Sequence, residues 1–339
     1  MVLLMTINER LPFFGLAVVA WLLPVLGPNM VLPLTFGLLI WQGLGGGFTA
    51  TAWQSLIGKI IPVERRGTFF GTQSAAANLG GSLAAIIASL LLERLSLPSN
   101  FALCFLLAGI ATTISWVFIT QTREPESSPA NQRTFQSNLG AILRRDANFR
   151  WFLVARTLLQ LATMAFGFYA VYGVRYHHMS AGVAGLMTSV FMAAQIVANP
   201  LMGWLGDRRS HRIVMGIGAY AAAASALLAW LAPSVSWFYL VFALAGIANV
   251  AGWTIGLAMT LEFGSEAERP AYIGLTNTLV APSTILAPLV GGWLADTVGY
   301  QATFLASVMG GLAAALVLQI LVRDPRQEFC YEPISIRPD

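Results

Sequence analysis

Long apolar stretches separated by short polar segments dominate the chain. A helix that crosses the hydrocarbon core of a bilayer needs about 20 apolar residues, and ten stretches have roughly that length. Because a spanning segment must satisfy its backbone polar groups internally, we predict that these stretches are α-helices. The predicted spans are 10–27, 33–57, 68–92, 101–121, 150–174, 182–205, 212–231, 236–260, 271–294 and 300–321.

The composition agrees with a membrane environment. Of the 339 residues, 57% are hydrophobic and only 10% are charged, whereas a soluble domain carries about 25% charged residues. The net charge of +4 does not indicate nucleic-acid binding, because the basic residues form short clusters between apolar stretches. Cys104 and Cys330 are the only cysteines, and they do not indicate a disulfide framework.

The basic residues also predict the orientation of the chain. Under the positive-inside rule, the loops rich in Lys and Arg face the cytoplasm. Only Arg94 and Arg175 fall on the opposite side, and Arg156 lies inside a predicted span, where we expect it to anchor the helix by snorkelling rather than bind a solute. The cytoplasmic set is Arg10, Lys59, Arg65, Arg66, Arg123, Arg133, Arg144, Arg145, Arg150, Arg208, Arg209, Arg212, Arg269, Arg323, Arg326 and Arg337. We therefore predict a multi-pass protein of the cell membrane with both ends of this chain in the cytoplasm.

The chain repeats itself at an offset of 203 residues. The pairs that this offset aligns include Gly43 with Gly246, Arg66 with Arg269, Glu93 with Asp296 and Phe101 with Phe304. The first four spans then lie over the last four, and the spans at 150–174 and 182–205 have no partner in the first half. Parallel repeats of six helices are a known transporter architecture. We therefore expect a chain without the first two helices of such a fold, and a native ten-helix protein is the alternative.

The segment Gly203-Trp204-Leu205-Gly206-Asp207-Arg208-Arg209-Ser210-His211-Arg212 carries a resemblance. It is similar to the loop signature of the major facilitator superfamily, with Ser210 and His211 departing from the usual glycine and arginine. Two further segments, 62–71 and 266–274, resemble the family's turns before its fifth and eleventh helices. In the family this loop locks the cytoplasmic side, so the resemblance implies a gate. The implied gating residues are Gly203, Gly206, Asp207, Arg208, Arg212, Arg66 and Arg269.

The resemblance implies an all-α membrane protein with the family's general-transporter fold, as ten transmembrane helices in two bundles of four and six. The predicted domains are an N-terminal bundle, 1–121, a cytoplasmic linker, 122–149, a six-helix C-terminal bundle, 150–323, and a cytoplasmic tail, 324–339. The first bundle would correspond to helices three to six of the family and the second to helices seven to twelve.

Uncharged polar residues within the spans are the candidate solute contacts, because buried polar groups in a bilayer usually mark a pathway. The resemblance selects five candidates on helices that line the family's cavity, and Asn277 is added from the ninth span. For each of them an interhelical hydrogen bond is the simpler explanation. The candidates are Gln42, Gln160, Tyr169, Asn249, Trp253 and Asn277. This neutral set favours an uncharged or amphipathic solute.

We therefore expect a secondary active or facilitative transporter of a small solute that works by alternating access, with or without coupling to a proton or another ion. No enzyme activity, cofactor, metal site or nucleic-acid partner is expected, because the sequence has no nucleophile elbow, phosphate loop or zinc spacing. The alternative is a non-transporting member of the family, either a truncated remnant or a regulatory subunit.

Overall fold

The computed structural model describes residues 2–122, 139–265 and 267–326, and within these ranges the chain is helical without any strand. Two compact units are present, one formed by 1–60 and 79–128 and the other by 61–78 and 129–339. Parts of the predicted linker, 123–138, and of the predicted tail, 327–339, lie outside the described residues. These units differ from the predicted bundles, because residues 61–78 belong to the second unit. The division into bundles at 1–121 and 150–323 stays a prediction.

The first unit contains four helices and the end of a fifth. Within it α1 packs against α3 and α5. The Arg10 guanidinium fixes this arrangement, since its Nε donates to the Thr112 carbonyl of α5 and its Nη1 to the Thr6 carbonyl, both at 2.8 Å. The helices are α1 (Val2–Trp21), α2 (Leu23–Leu26), α3 (Pro28–Ile60), α4 (Arg66–Arg94) and α5 (Ser99–Thr120).

The second unit begins with the first residues of α4 and contains the remaining helices. They are α6 (Leu139–Arg145), α7 (Ala147–Thr163), α8 (Tyr169–His177), α9 (Ala181–Arg208), α10 (His211–Leu231), α11 (Trp237–Val250), α12 (Gly256–Thr260), α13 (Arg269–Thr297) and α14 (Tyr300–Ile320). Short 3₁₀ turns precede α4 (Val63–Arg65) and α8 (Met164–Phe168), and a π-helical turn (Ala251–Ile255) joins α11 to α12. Two of the helices start at side-chain caps: Asp146 accepts from the Phe149 amide and Ser180 from the Val183 amide.

Nine helical segments of the described chain are long and apolar enough to cross a membrane, so this is a multi-pass membrane protein. They coincide with nine of the ten predicted spans. The first predicted span, 10–27, is not among them. Its residues are divided between α1 and α2 because Pro24 favours a helix start and Gly27, at φ +70°, takes a left-handed conformation that ends α2. The segments that qualify are Pro28–Ile60, Val63–Arg94, Ser99–Thr120, Ala147–His177, Gly182–Arg208, His211–Leu231, Trp237–Thr260, Arg269–Thr297 and Tyr300–Ile320.

An aromatic cluster forms one part of the core of the second unit. Phe304 of α14 is fully buried, and its ring centroid lies 5.0 Å from that of Tyr172 and 5.7 Å from that of Tyr169. Edge-on and tilted contacts of this kind stabilise beyond simple burial. The cluster therefore holds α8 against α14.

Replacing Phe304 with Ala is expected to lower the stability of the protein by about 2 kcal/mol or more, because the cavity removes dispersion contacts that the surroundings cannot restore. Thermal unfolding in detergent measures this change. Phe118→Ala is the matched control, since Phe118 is 67% exposed and its loss leaves no cavity. Equal melting temperatures for the two variants would contradict the packing described.

Candidate gating site

The segment with the family resemblance occupies the connection between α9 and α10. The α9 helix continues through Asp207 to Arg208, and α10 begins at His211 after the extended residue Ser210. This sharp connection brings Asp207 and His211 to the same end of the two helices, beside Gly67 at the start of α4.

The Asp207 carboxylate caps the start of α4. Its Oδ1 accepts from the Gly67 amide at 2.8 Å and its Oδ2 from the Thr68 amide at 2.6 Å. The first amides of a helix have no partner within the helix, and its N-terminus carries partial positive charge, so a carboxylate there is stabilising. A cap of this kind contributes about 1–2 kcal/mol, and the burial of the Asp207 side chain limits competition from water.

Two glycines allow the helices to approach closely enough for this cap. A Cβ on Gly203 would collide with the Gly67 carbonyl, and a Cβ on Gly67 would lie 2.8 Å from Asp207 Oδ1. Any side chain at either position would separate the start of α4 from the carboxylate. Gly203, the first residue of the signature segment, therefore allows the backbones of α9 and α4 to come into contact.

A buried charged cluster lies behind Asp207. The Oε1 atom of Glu262 is 2.5 Å from Arg326 Nε and 2.7 Å from His211 Nδ1. Arg326 also donates through Nη1 to the Asp207 carbonyl at 2.9 Å, and its Nη2 lies 3.7 Å from Asp207 Oδ1. We call Asp207, His211, Glu262 and Arg326, with the Gly67 and Thr68 amides, the gating cluster.

His211 has two competing neighbours at one nitrogen. Its Nδ1 lies 2.7 Å from Glu262 Oε1 and 2.7 Å from Arg326 Nη2. A guanidinium only donates and a carboxylate ion only accepts, so Nδ1 can make one of these hydrogen bonds at a time. The proton on the imidazole decides which one forms, and an arginine at this position could not make that choice.

The other predicted gating residues lie around this cluster. Arg66 is buried, and its Nη1 donates to the Leu261 carbonyl at 2.8 Å, next to Glu262. Arg212 donates to the Val322 carbonyl at 2.8 Å, which holds the segment before Arg326. Gly206 packs beside the His211 ring, Arg208 stacks on Trp204 with 4.4 Å between its Cζ and the ring centroid, and Arg269 begins α13.

Sequence reasoning did not include Glu262, His211 or Arg326 in the gate. Glu262 lies just after the end of a predicted span, and Arg326 is among the basic residues that predict the orientation. The available clue was that both acids, Asp207 and Glu262, lie at the ends of apolar helices. Only the fold shows that the segment after α14 returns to Asp207.

The candidate solute contacts have different environments. Tyr169 is 1% exposed, and its hydroxyl lies 2.8 Å from Ser225 Oγ. Asn249 donates to Gln195 Oε1 at 2.9 Å, so it is part of an interhelical hydrogen bond. Trp253 is 62% exposed. Gln42 and Gln160 are partly exposed and Asn277 is exposed, and none of the three side chains makes a hydrogen bond to a described residue.

A second polar network links α9 to the π-helical turn. Thr254 Oγ1 lies 2.6 Å from Asn199 Oδ1 and 3.2 Å from Ser74 Oγ, and Asn199 Nδ2 donates to the Gln195 carbonyl at 2.8 Å. Satisfied groups of this kind hold helices together in a bilayer. In the described ranges no group of three metal-binding side chains occurs.

An exposed ion pair lies away from the gating cluster. Arg145 Nη2 is 2.8 Å from Glu268 Oε1, and the Arg145 side chain is 65% exposed. Partial burial would raise the pKa of Glu268, but hydrogen bonds from Arg145 and Ser265 outweigh it and hold the pKa of this carboxyl below its usual range. The same hydrogen bond raises the pKa of Arg145.

Comparison with known proteins gives a consistent family match. The sequence matches the family model described as Major Facilitator Superfamily over residues 3–177 and again over 152–329. The tetracenomycin C resistance and export protein of Streptomyces glaucescens is 28% identical over 153 residues, which are 44% of this chain and 28% of that protein. Multidrug resistance protein 1 of Bacillus subtilis (strain 168) is 25% identical over 150 residues, which are 44% of this chain and 38% of that protein. The matched region thus covers well under half of either relative.

Solved structures show the same fold over most of the chain. The proton:xylose symporter XylE bound to 6-bromo-6-deoxy-D-glucose superposes with a TM-score of 0.75 at 14% identity, covering 97% of this chain and 82% of that one. The transporter FucP in its outward conformation gives 0.73 at 16% identity, covering 94% and 83%. At this level of identity the likeness concerns the fold alone.

Replacing Glu262 with Gln is expected to lower the stability by about 2 kcal/mol, because Arg326 loses its charged partner in a buried site. A double-mutant cycle with Arg326→Gln, followed by thermal unfolding in detergent, should give a coupling energy of about 1–3 kcal/mol.

The matched control cycle is Glu268→Gln with Arg145→Gln, for which we expect less than about 1 kcal/mol because that pair is exposed. A coupling energy for Glu262 and Arg326 no larger than that of the control would contradict the buried network.

Proposed function

The chain belongs to the Major Facilitator Superfamily, and from this we propose that it carries a small solute across the cell membrane by alternating access, with the gating cluster as the cytoplasmic gate. The observation that carries the gating proposal is the cap on α4, in which the Gly67 and Thr68 amides bind one carboxylate. Such a contact is strong while the geometry holds and is lost on a small displacement, as a gate requires.

The chain path of α4 supports the gating role. Its first residues belong to the second unit and its residues from 79 onward belong to the first. Opening the cytoplasmic side would withdraw the start of α4 from Asp207, and closing would restore both hydrogen bonds. Gly203, Gly206 and the cations Arg66, Arg208, Arg212 and Arg269 surround this contact in the proposal.

The buried cluster would return Asp207 to one position after each cycle. Arg326 reaches the Asp207 carbonyl and Glu262 at once, so it ties the end of α9 to the segment after α14. A carboxylate held in this way can act as a fixed receptor for the α4 amides. The gradient of the solute or of a coupled ion would supply the free energy, and both ends of the chain would face the cytoplasm.

The test is uptake of labelled solutes by the purified protein in sealed liposomes, with and without an imposed proton gradient. Asp207→Asn is expected to reduce initial uptake on the order of tenfold, because the amide keeps the shape of the carboxylate and loses its charge. Asp296→Asn is the matched control, since Asp296 is exposed at the far end of α13.

Uptake that is unchanged by Asp207→Asn would contradict the gating role. If the folded, monodisperse protein takes up no solute of a broad panel, transport itself is contradicted, and the non-transporting alternative replaces it.

A further inference from the structure

One cation lies well inside a membrane span of the second unit. Arg156 is nine residues into α7, about 13 Å from the start of the helix. We expected this side chain to reach back to the membrane surface. Instead its guanidinium crosses to the neighbouring helix and donates through Nη1 to the Gly252 carbonyl, in the π-helical turn.

The neighbouring helix is shaped to receive this guanidinium. A Cβ on Gly256 would occupy the position of Arg156 Nη1, so only glycine leaves room there. The π-helical turn places the Gly252 carbonyl within reach of the same group. π-Helical turns are rare in proteins, and those that occur are often found at functional sites. The position of the positive charge is therefore fixed by the local structure of both helices.

Arg156 has no counter-charge in the part of the chain that the structure describes. No Asp or Glu of residues 2–122, 139–265 and 267–326 lies within 4.0 Å of its guanidinium, and its buried Nε has no hydrogen-bond partner. Arg326, by contrast, has the carboxylate of Glu262 beside its guanidinium. A cation inside a span is expensive unless an anion or water meets it, and such residues usually belong to a pathway.

Further unused polar and aromatic groups lie near Arg156 and Gly252 along the two helices. Gln160 is one turn along α7 on the same face, and its side-chain amide makes no hydrogen bond to a described residue. Trp253 follows Gly252 directly and is 62% exposed. A fixed guanidinium with free donors, an amide and an open indole match a carboxylate attached to an apolar or aromatic body.

We propose that Arg156 is the charge-recognising residue of a binding site for organic carboxylates, with Gln160 and Trp253 beside it. The inference rests on the proposed function, because the carboxylate would be the transported solute. It changes the expectation of an uncharged solute, which came from the neutral residues alone.

The test measures binding to the purified protein in phosphatidylcholine nanodiscs, where no anionic lipid competes. The probes are benzoate, 2-naphthoate and decanoate, each paired with its primary amide, which has the same shape without the charge. At least one acid is expected to bind about tenfold more tightly than its amide. Arg156→Gln should reduce that preference to within about twofold.

Two further variants make the result specific. Arg156→Lys keeps the charge without the planar fork, so it should retain the preference for the acid with weaker binding. Arg150→Gln is the matched control on the same helix, since Arg150 is exposed and donates to the Leu143 carbonyl, and it should bind like the wild type. If Arg156→Gln does not fold, the wild-type preference and the Lys variant decide the question.

Absence of any acid–amide preference in the wild type, or its persistence in Arg156→Gln, would overturn the proposal. Binding with this preference but without uptake in liposomes would contradict transport and leave the carboxylate site standing. Uptake of solutes without a preference for the carboxylate would support transport and contradict the carboxylate site.

Discussion

The hydrogen bonds between the Asp207 carboxylate and the first amides of α4 hold the start of α4 against the end of α9 in the second unit. Both oxygens accept a main-chain hydrogen bond, from Gly67 and from Thr68. The contact combines a helix cap with a charge–dipole attraction, and it requires two glycines at the crossing point. Few side chains other than aspartate could satisfy both amides at this distance from α9.

Burial makes this contact specific and also makes it depend on its neighbours. Asp207 and Glu262 place two acids close together away from water, and Arg326 with His211 supplies the donors that offset them. Removing one member leaves an uncompensated buried group, which costs more than the interaction contributes when complete. The Nδ1 atom of His211 lies within hydrogen-bond distance of both Glu262 and Arg326, at a position where the family signature usually has an arginine.

Much of the fold could be predicted from the sequence, because lipid imposes one simple rule on every span. Nine predicted spans agree with the helices to within a few residues, and the match to the Major Facilitator Superfamily confirms the recognised family. The bounds of the span predicted at 10–27 differ from the helices, because its residues are divided between α1 and α2 at Leu22 and hydropathy does not register that break. The place of Asp207 in the signature segment singled it out as a candidate gating residue, whereas its role as a helix cap is visible only in the structure. The sequence did not single out the partners Glu262 and Arg326, since they are 55 and 119 residues away along the chain and only the packing of α12 and α14 against α10 brings them together. The sequence placed Arg156 inside a span but did not predict that its guanidinium binds the Gly252 carbonyl, because the π-helical turn in the adjacent helix leaves no pattern in the sequence.

Hydrogen–deuterium exchange of the segment 63–78 tests the central contact most directly, since the Gly67 and Thr68 amides exchange only when they leave Asp207. Mass spectrometry of the protein in nanodiscs would compare the wild type with Asp207→Asn, and Asp296→Asn would serve as the control. Faster exchange of this segment in Asp207→Asn, on the order of tenfold at the two amides, is the predicted result. Exchange that is equally slow in all three proteins would contradict the cap and the gate built on it.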